Sequence, residues 1–216
     1  MVYITPGEFA MGSGPDDPTV YEWERSHEQP QHPVFVGPYF IDAHEVTNRE
    51  FEQQFPAKIR NLVASPCDEC PVTNVSWVAA QAYCAARKKR LPTEAEWEKA
   101  AKGGLPDWKP TPFDEYVWFD GNTITRAQPV ATKRPNPYGL YDMLGNVREW
   151  TADWYGPDYY RHRMHDEPKG PPDGQRRVER GGAFFLPARG VTTTIRYNHP
   201  PHFELYFLGF RCAQDP

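Results

Sequence analysis

The sequence predicts an α+β domain in which loops outweigh regular structure. Its 216 residues include 24 prolines and 16 glycines, together with 7 Trp, 12 Tyr and 12 Phe. Each proline fixes φ and removes a backbone donor, which restricts helix and sheet and favours long loops held by buried aromatic rings. Helix signals occur only before residue 105, and strand-like runs are short throughout the chain.

The composition limits the class of protein. The 24 Lys and Arg residues are outnumbered by 29 Asp and Glu, so the formal net charge is −5. A general basic surface for nucleic acid is therefore excluded. With 39% hydrophobic and 25% charged residues, the chain can form one sizeable core. Because no internal repeat or linker interrupts the sequence, we expect a single domain over residues 1–216.

The same composition bears on location. No run approaches the roughly 18 consecutive apolar residues of a membrane helix, so we expect no membrane insertion. The first four residues enter a strand-like pattern without the basic and apolar regions of a signal peptide. These features indicate a cytoplasmic protein if Met1 is native, and a periplasmic or secreted one if a leader has been removed.

Two strand-like segments open the chain. Val2 to Met11 alternates weakly and ends at a Gly-Ser-Gly-Pro turn, after which an acidic surface loop extends to Gln31. Residues 32–42 place β-branched and aromatic side chains in near alternation, which predicts a second strand. Beyond residue 105, aromatic runs between glycines and prolines indicate loops and short strands.

Each of three helices begins after a Ser or Thr that can cap its N-terminus. Two of these caps have Glu three residues later, which makes a capping box. The predicted helices are 48–55 after Thr47, 77–88 after Ser76 and 94–102 after Thr93. Pro56 limits the first helix and Gly103 the third, while basic residues at the end of the second suit the helix dipole.

Seven motifs occur in a fixed order and carry a family resemblance. They span residues 6–13, 45–48, 75–77, 90–98, 136–151, 180–182 and 209–212. Together, over nearly the whole chain, they resemble the formylglycine-generating enzyme (sulfatase-modifying factor) superfamily. The resemblance implies an α+β fold that is a C-type lectin-like variant of the formylglycine-generating enzyme type. Such a fold is loop-rich, with two or three helices beside short, twisted antiparallel sheets.

The resemblance also argues against one activity. The formylglycine-generating members look like copper oxidases that use two cysteines located after the Arg-Gly-Gly motif. The matching positions in this chain are Leu186 and Val191. Because an alkyl group cannot replace a thiolate as a soft copper ligand, we expect no copper at this site and no formylglycine formation by this route.

The four cysteines fall into two pairs. Cys84 and Cys212 lie where lectin-like folds have a disulfide, so the resemblance implies that they pair. Two buried free thiols in a reducing compartment are the alternative. Cys67 and Cys70 form a CxxC motif in a loop between prolines. They can be a local staple, unpaired thiols or part of a metal site with a remote histidine, and the sequence leaves these alternatives open.

A calcium site is implied by resemblance in a short, glycine-containing turn. The side chains of Asp142 and Glu149 and the carbonyls of Gly145 and Val147 would surround the ion. Such a turn suits a hard cation because several oxygens come from a short segment. An ordinary turn with solvated carboxylates is the alternative. A second calcium site of the family would begin at Asn122, but the acidic loop that completes it is missing from this chain.

The segment between residues 184 and 207 lies where the family builds its binding face. Aromatic rings, guanidiniums, an amide and imidazoles suit recognition of a peptide or a small organic ligand. The predicted ligand-binding residues are Phe185, Arg189, Arg196, Tyr197, Asn198, His199, His202, Phe203 and Tyr206. The alternative is that about half of these aromatics simply fill a core that is poor in sheet.

The sequence thus predicts a calcium-supported, lectin-like binding or accessory domain whose aromatic C-terminal loop surface meets a protein or small-molecule ligand. The end of the chain is compatible with the variable proteins of diversity-generating retroelements, which the superfamily includes. The alternative is an oxidase or non-haem-iron-type enzyme of the same superfamily that acts on a small molecule or peptide. Its catalytic residues are unknown from the sequence.

Overall fold

The computed structural model describes residues 1–15, 27–106, 108–123, 125–162 and 164–216. Most of the acidic loop that the sequence predicts before Gln31 lies outside these ranges. The described residues form three α-helices and nine short strands in three sheets. This arrangement confirms the α+β class.

The two N-terminal strand-like segments are each broken once. The first consists of β1 (Val2–Ile4) and β2 (Gly7–Met11), and the second of β3 (His32–Val36) and β4 (Tyr39–Ile41). β2 pairs with β3, and β1 pairs with β4, both antiparallel. A proline lies in each break, where its missing N–H interrupts the ladder. The sequence predicted two continuous strands, and the breaks divide them between two sheets.

The three predicted helices are confirmed within one or two residues. They are α1 (Asn48–Gln54), α2 (Trp77–Ala86) and α3 (Glu94–Ala101). The capping side chains accept backbone hydrogen bonds as predicted, and both capping boxes form. α1 ends one residue early because the residue before a proline avoids the helical conformation. No α-helix follows α3 in the described part of the chain, where only three single 3₁₀ turns occur.

The C-terminal half contributes a four-stranded sheet. Its strands are β5 (Arg148–Trp154), β6 (Arg177–Arg180), β7 (Tyr197–His199) and β8 (Leu208–Gly209), in the order β7-β6-β5-β8. The β5–β8 pair is parallel, whereas the resemblance implied antiparallel sheets, and the other pairs are antiparallel. The last strand, β9 (Ala213–Gln214), returns to β4 and thereby joins the C-terminus to the N-terminal sheet.

The third helix lies at the centre of the molecule. α3 is buried along its whole length and packs against β2, β3, β5 and β6. Trp97 is fully buried in the largest apolar cluster. On the same helix, Glu98 pairs with Arg180 of β6, and neither side chain is exposed. A buried carboxylate needs a positive partner, so this pair fixes the second half of the chain against the helix.

Candidate functional site

One face of the four-stranded sheet collects polar and aromatic side chains. Glu179 lies directly opposite Tyr197, and Arg177 lies opposite His199. Because side chains alternate along a strand, opposite residues and residues two apart share a face. Arg148 of β5 joins them, since its guanidinium carbon lies 3.4 Å from the centroid of the Tyr197 ring. Three strands therefore supply a single site.

The carboxylate of Glu179 is the centre of this site. Its side chain is fully buried, with Oε1 2.6 Å from Nδ1 of His199 and Oε2 3.5 Å from Nη1 of Arg148. An isolated buried carboxylate would be strongly destabilising. Arg148 therefore balances its charge, while the short hydrogen bond holds the imidazole of His199 in a fixed orientation.

The loop after β7 adds a continuous series of rings beside this carboxylate. His199 stacks on Phe203 at 5.7 Å, and Tyr206 contacts Phe207 at 5.0 Å. Phe203 is 39% exposed and Tyr206 is 46% exposed. The other ring contacts span 5.1 to 6.5 Å. We call this surface the aromatic face, and its members are Phe185, His199, His202, Phe203, Tyr206 and Phe207.

Three further residues of the predicted binding face lie beside it or away from it. Tyr197 is half-buried beneath Arg148 and donates its hydroxyl to the Gly190 carbonyl at 3.2 Å. Asn198 points its side chain towards Arg176, whose Nη1 donates to it at 3.0 Å. Arg189 lines a separate groove. The structure therefore brings the rings together but leaves these three residues outside the ring series.

Arg196 requires a correction, because it does not reach the surface. Its side chain is fully buried, and Nε and Nη2 donate to the two carboxylate oxygens of Glu94 at 2.6 and 2.9 Å. Nη1 donates to the carbonyl of His27 at 2.7 Å. The guanidinium is committed to ion pairing within the core and is not available to a ligand.

A groove of about 880 Å³ lies next to the positions that match the two family cysteines. Val191 and Leu144 form part of its wall, and Trp108 and Arg189 line it as well. Leu186 packs in the same apolar cluster as Val191. The two positions therefore belong to one apolar cluster, and their side chains present only carbon atoms.

Both cysteine pairs are disulfides, which resolves the alternatives that the sequence left open. Cys84 and Cys212 are joined at an S–S distance of 1.99 Å, and Cys67 and Cys70 at 2.09 Å. The chain has four cysteines, so no thiol remains. The CxxC motif is a local staple of its loop.

The carboxylates predicted to bind calcium differ in their surroundings. Asp142 is buried. Its Oδ2 accepts from the Ala131 N–H at 2.7 Å, while Oδ1 has no partner within the described ranges. Both oxygens of Glu149 accept from Arg211, at 2.7 and 2.8 Å, and Oε2 also accepts from Trp97. Asp142 thus has an oxygen free for a cation, whereas Glu149 would have to share one with a guanidinium.

The rest of this turn is tightly built. Gly145 has φ +77°, and a Cβ there would lie 2.1 Å from the carbonyl oxygen of Trp118, so only glycine fits. Val147 is buried beside Phe184. Asn122 is exposed, and its side chain caps its own turn by accepting from Phe119 and donating to Val117 at 3.1 and 2.9 Å.

A further buried acid near this turn was not predicted as a site residue. Glu45 is completely buried, and its Oε1 has no hydrogen-bond partner among the described residues. Burial raises the pKa of Glu45 well above its usual value, and the charges of Asp142 and Glu149 raise it further. The only sequence signal was its place in the second family motif. In the described ranges, no three His, Cys, Asp or Glu side chains form a metal-holding group.

A second cavity, of about 650 Å³, lies beside β5. Asp153, Arg90 and Glu96 line it, and Arg90 pairs with Glu96 at 2.6 Å. Burial, followed by the charge of Glu94, raises the pKa of Asp153 to about 8. The carboxyl of Asp153 is therefore largely protonated at neutral pH.

None of the described helices has the length and apolarity to span a membrane.

Comparison with known proteins is consistent with this architecture. The chain is 30% identical over 284 residues to the formylglycine-generating enzyme of Bos taurus, covering 100% of this chain and 74% of that protein. It is 35% identical over 246 residues to the serine/threonine-protein kinase pkn1 of Chlamydia pneumoniae, but it spans only 38% of that protein's length.

Among solved structures, Treponema denticola variable protein 1 superposes with a TM-score of 0.85 at 28% identity, covering 100% of this chain and 95% of that one. The family model described as the sulfatase-modifying factor enzyme 1-like domain matches residues 1–216. The chain belongs to this sulfatase-modifying factor family, whose relatives include the formylglycine-generating enzymes.

Proposed function

We propose that this chain is a binding member of its family, which presents the aromatic face to a protein or small-molecule ligand and does not oxidise cysteine through a thiol pair. The observation that carries the proposal is the continuous series of six rings around the partly exposed Phe203 and Tyr206. Contiguous exposed apolar surface of this kind marks interaction sites on soluble proteins.

The composition of the aromatic face supports this proposal. Large, rigid rings give much contact area at a low cost in conformational entropy, which is why aromatic residues are enriched where proteins bind ligands. His199 and His202 add polar atoms at the edge of these rings, and such atoms fix the orientation of a ligand.

The absence of free thiols supports a role other than cysteine oxidation for this chain. Leu186 and Val191 occupy the paired positions, and every cysteine of the chain is held in a disulfide. A thiolate is the nucleophile and the copper ligand that such chemistry requires. The groove beside these residues can still hold a ligand, but its described lining residues include no thiol that could carry copper.

The aromatic face can be tested by selecting peptides from a displayed library on the wild-type protein and on single variants. We expect Phe203→Ala and Tyr206→Ala to lose the selected ligands. The matched control is Tyr3→Ala, because Tyr3 is 48% exposed and lies on β1, in a different sheet. Equal binding by all three variants would contradict the proposal.

We further propose that calcium stabilises the turn that contains Asp142. The buried, partnerless Oδ1 of Asp142 supports this role, as does the glycine that the tight turn requires. The carbonyls of Gly145 and Val147 would complete the site, together with a shared oxygen of Glu149. The ion would supply only charge balance and rigidity.

Thermal unfolding tests the calcium site directly. Calcium should raise the melting temperature relative to a chelator, by mass action on the folded state. Asp142→Asn should abolish the difference, while Asp173→Asn, at an exposed position, should retain it. A melting temperature that is the same with calcium and with chelator would contradict the proposal.

A further inference from the structure

His199 combines features that the general binding proposal does not use. Its side chain is 27% exposed, and its Nδ1 lies 2.6 Å from a carboxylate oxygen of the fully buried Glu179. Within the described residues, its Nε2 has no hydrogen-bond partner. The imidazole also stacks on Phe203 with an interplanar angle of 29°. The Nδ1 side of the ring is therefore anchored inside the protein, while Nε2 is left available for a further hydrogen bond.

The buried carboxylate determines which ring nitrogen carries the proton. Glu179 forms an ion pair with the guanidinium of Arg148, whose Nη1 lies 3.5 Å from its Oε2. An ionised carboxylate only accepts hydrogen bonds, so Nδ1 of His199 must be the donor. In the neutral imidazole, Nε2 then carries a lone pair and accepts a hydrogen bond. His202 also contacts Phe203, at 5.1 Å, but no carboxylate lies behind it among the described contacts.

We propose that His199 gives the aromatic face specificity for ligands that carry a phenolic hydroxyl, such as a tyrosine side chain of a peptide. The ring of the ligand would pack on Phe203 and its neighbours, and its O–H would donate to Nε2. A phenol matches both parts of the site, because it joins a flat apolar ring to one strong donor. This inference rests on the proposed binding function and narrows it to one ligand class.

Glu179 acts in this site as a positioning residue. It touches no ligand, but it selects the tautomer of His199 that presents an acceptor. A buried group that fixes the other nitrogen of an imidazole is the usual way in which a histidine is oriented. Removing the charge of Glu179 should therefore alter the tautomer of the His199 imidazole and leave the rest of the surface largely unchanged.

The test uses p-cresol and 4-methylanisole, which share a methyl-substituted ring but differ in the hydroxyl hydrogen. Binding is followed by NMR chemical-shift titration of the intact, disulfide-bonded protein. We expect p-cresol to bind about fivefold to tenfold more tightly, which corresponds to one hydrogen bond. His199→Phe keeps the stacked ring and should remove this preference. His202→Phe, the matched control, should keep it.

The nitrogen-15 shifts of the His199 imidazole provide a second readout that does not depend on a ligand. We expect the tautomer with a proton on Nδ1 in the wild type, and a mixture of tautomers in Glu179→Gln. If the proton of the wild-type His199 imidazole is found on Nε2, the inference is overturned. This result would count even if the His199→Phe variant proved to be unfolded.

The outcomes separate the inference from the binding proposal. Equal affinities for the two compounds at the aromatic face would overturn the phenol specificity and leave the binding function standing. A preference that survives in His199→Phe would also overturn it. Failure of both compounds to shift any resonance of the aromatic face, up to their solubility limits, would count against both proposals.

Discussion

Replacing two phenylalanines of the segment 184–207, one buried and one exposed, distinguishes a binding surface from a core. Phe184 is 1% exposed and packs with Ala127 and Val147, whereas Phe203 is 39% exposed and contacts the rings of His199 and His202. A buried Phe→Ala change leaves a cavity and costs about 3–5 kcal/mol. A surface change usually stays within about 0.5 kcal/mol.

These free energies translate into measurable shifts in urea unfolding. With an m-value of about 2 kcal/mol/M, Phe184→Ala should lower the midpoint by about 2 M. Phe203→Ala should lower the midpoint by about 0.25 M, because the substitution removes little buried apolar area. Tryptophan fluorescence follows both transitions, since the chain contains 7 Trp, and no reductant is added. A midpoint that falls by 1 M or more in Phe203→Ala would show that Phe203 belongs to the core and would refute the reasoning.

Three further predictions follow from the cysteines, the missing thiols and Asp153. When the protein is incubated with copper and a Cys-x-Pro-x-Arg peptide, mass spectrometry should detect no more formylglycine than in a metal-free control. Conversion of the peptide above that control would contradict this prediction. Replacing Cys84 and Cys212 by Ala should cost about 5 kcal/mol in urea unfolding, against about 2 for the Cys67–Cys70 pair, because the sequence separations are 128 and 3. Similar losses of stability in the two disulfide variants would argue against this explanation by chain entropy. Because the pKa of Asp153 is raised, the folded state retains a proton that the unfolded state releases. The free energy of unfolding should therefore decrease as the pH rises from 3.8 to about 8. Asp153→Asn should flatten this slope, and an unchanged slope would exclude Asp153 as its source.

The helices were predictable because their signals are local. Thr47 and Thr93 each lie three residues before the Glu that completes a capping box, and both boxes form as the sequence indicates. The ends were less accurate, since α2 stops at Ala86 although basic residues continue the pattern to residue 88. There the backbone of Lys88 turns to a positive φ of 57°.

The failed prediction for Arg196 shows what local patterns omit. Its partner Glu94 lies 102 residues earlier, at the first position of α3. In the sequence, an arginine within an aromatic segment looks like a ligand-binding residue. Only the tertiary fold shows that its guanidinium pairs with a buried carboxylate. The pairing of Glu179 with Arg148 likewise joins two different strands and cannot be read from a local pattern.

The candidate site was predicted in its residue types but not in its geometry. The rings between residues 184 and 207 suggested a surface, which the aromatic face forms around Phe203, whereas Phe184 is buried. The hydrogen bond from His199 to Glu179 depends on the register between β6 and β7. A shift of one residue would turn these side chains to opposite faces, and the sequence does not specify the register of such short strands.

Crystals of the protein soaked with p-cresol would test the binding account most directly. We expect ordered p-cresol against Phe203 and Tyr206 on the aromatic face. Density for p-cresol only in the groove beside Trp108 and Val191, with the aromatic face unchanged at a saturating concentration, would contradict it.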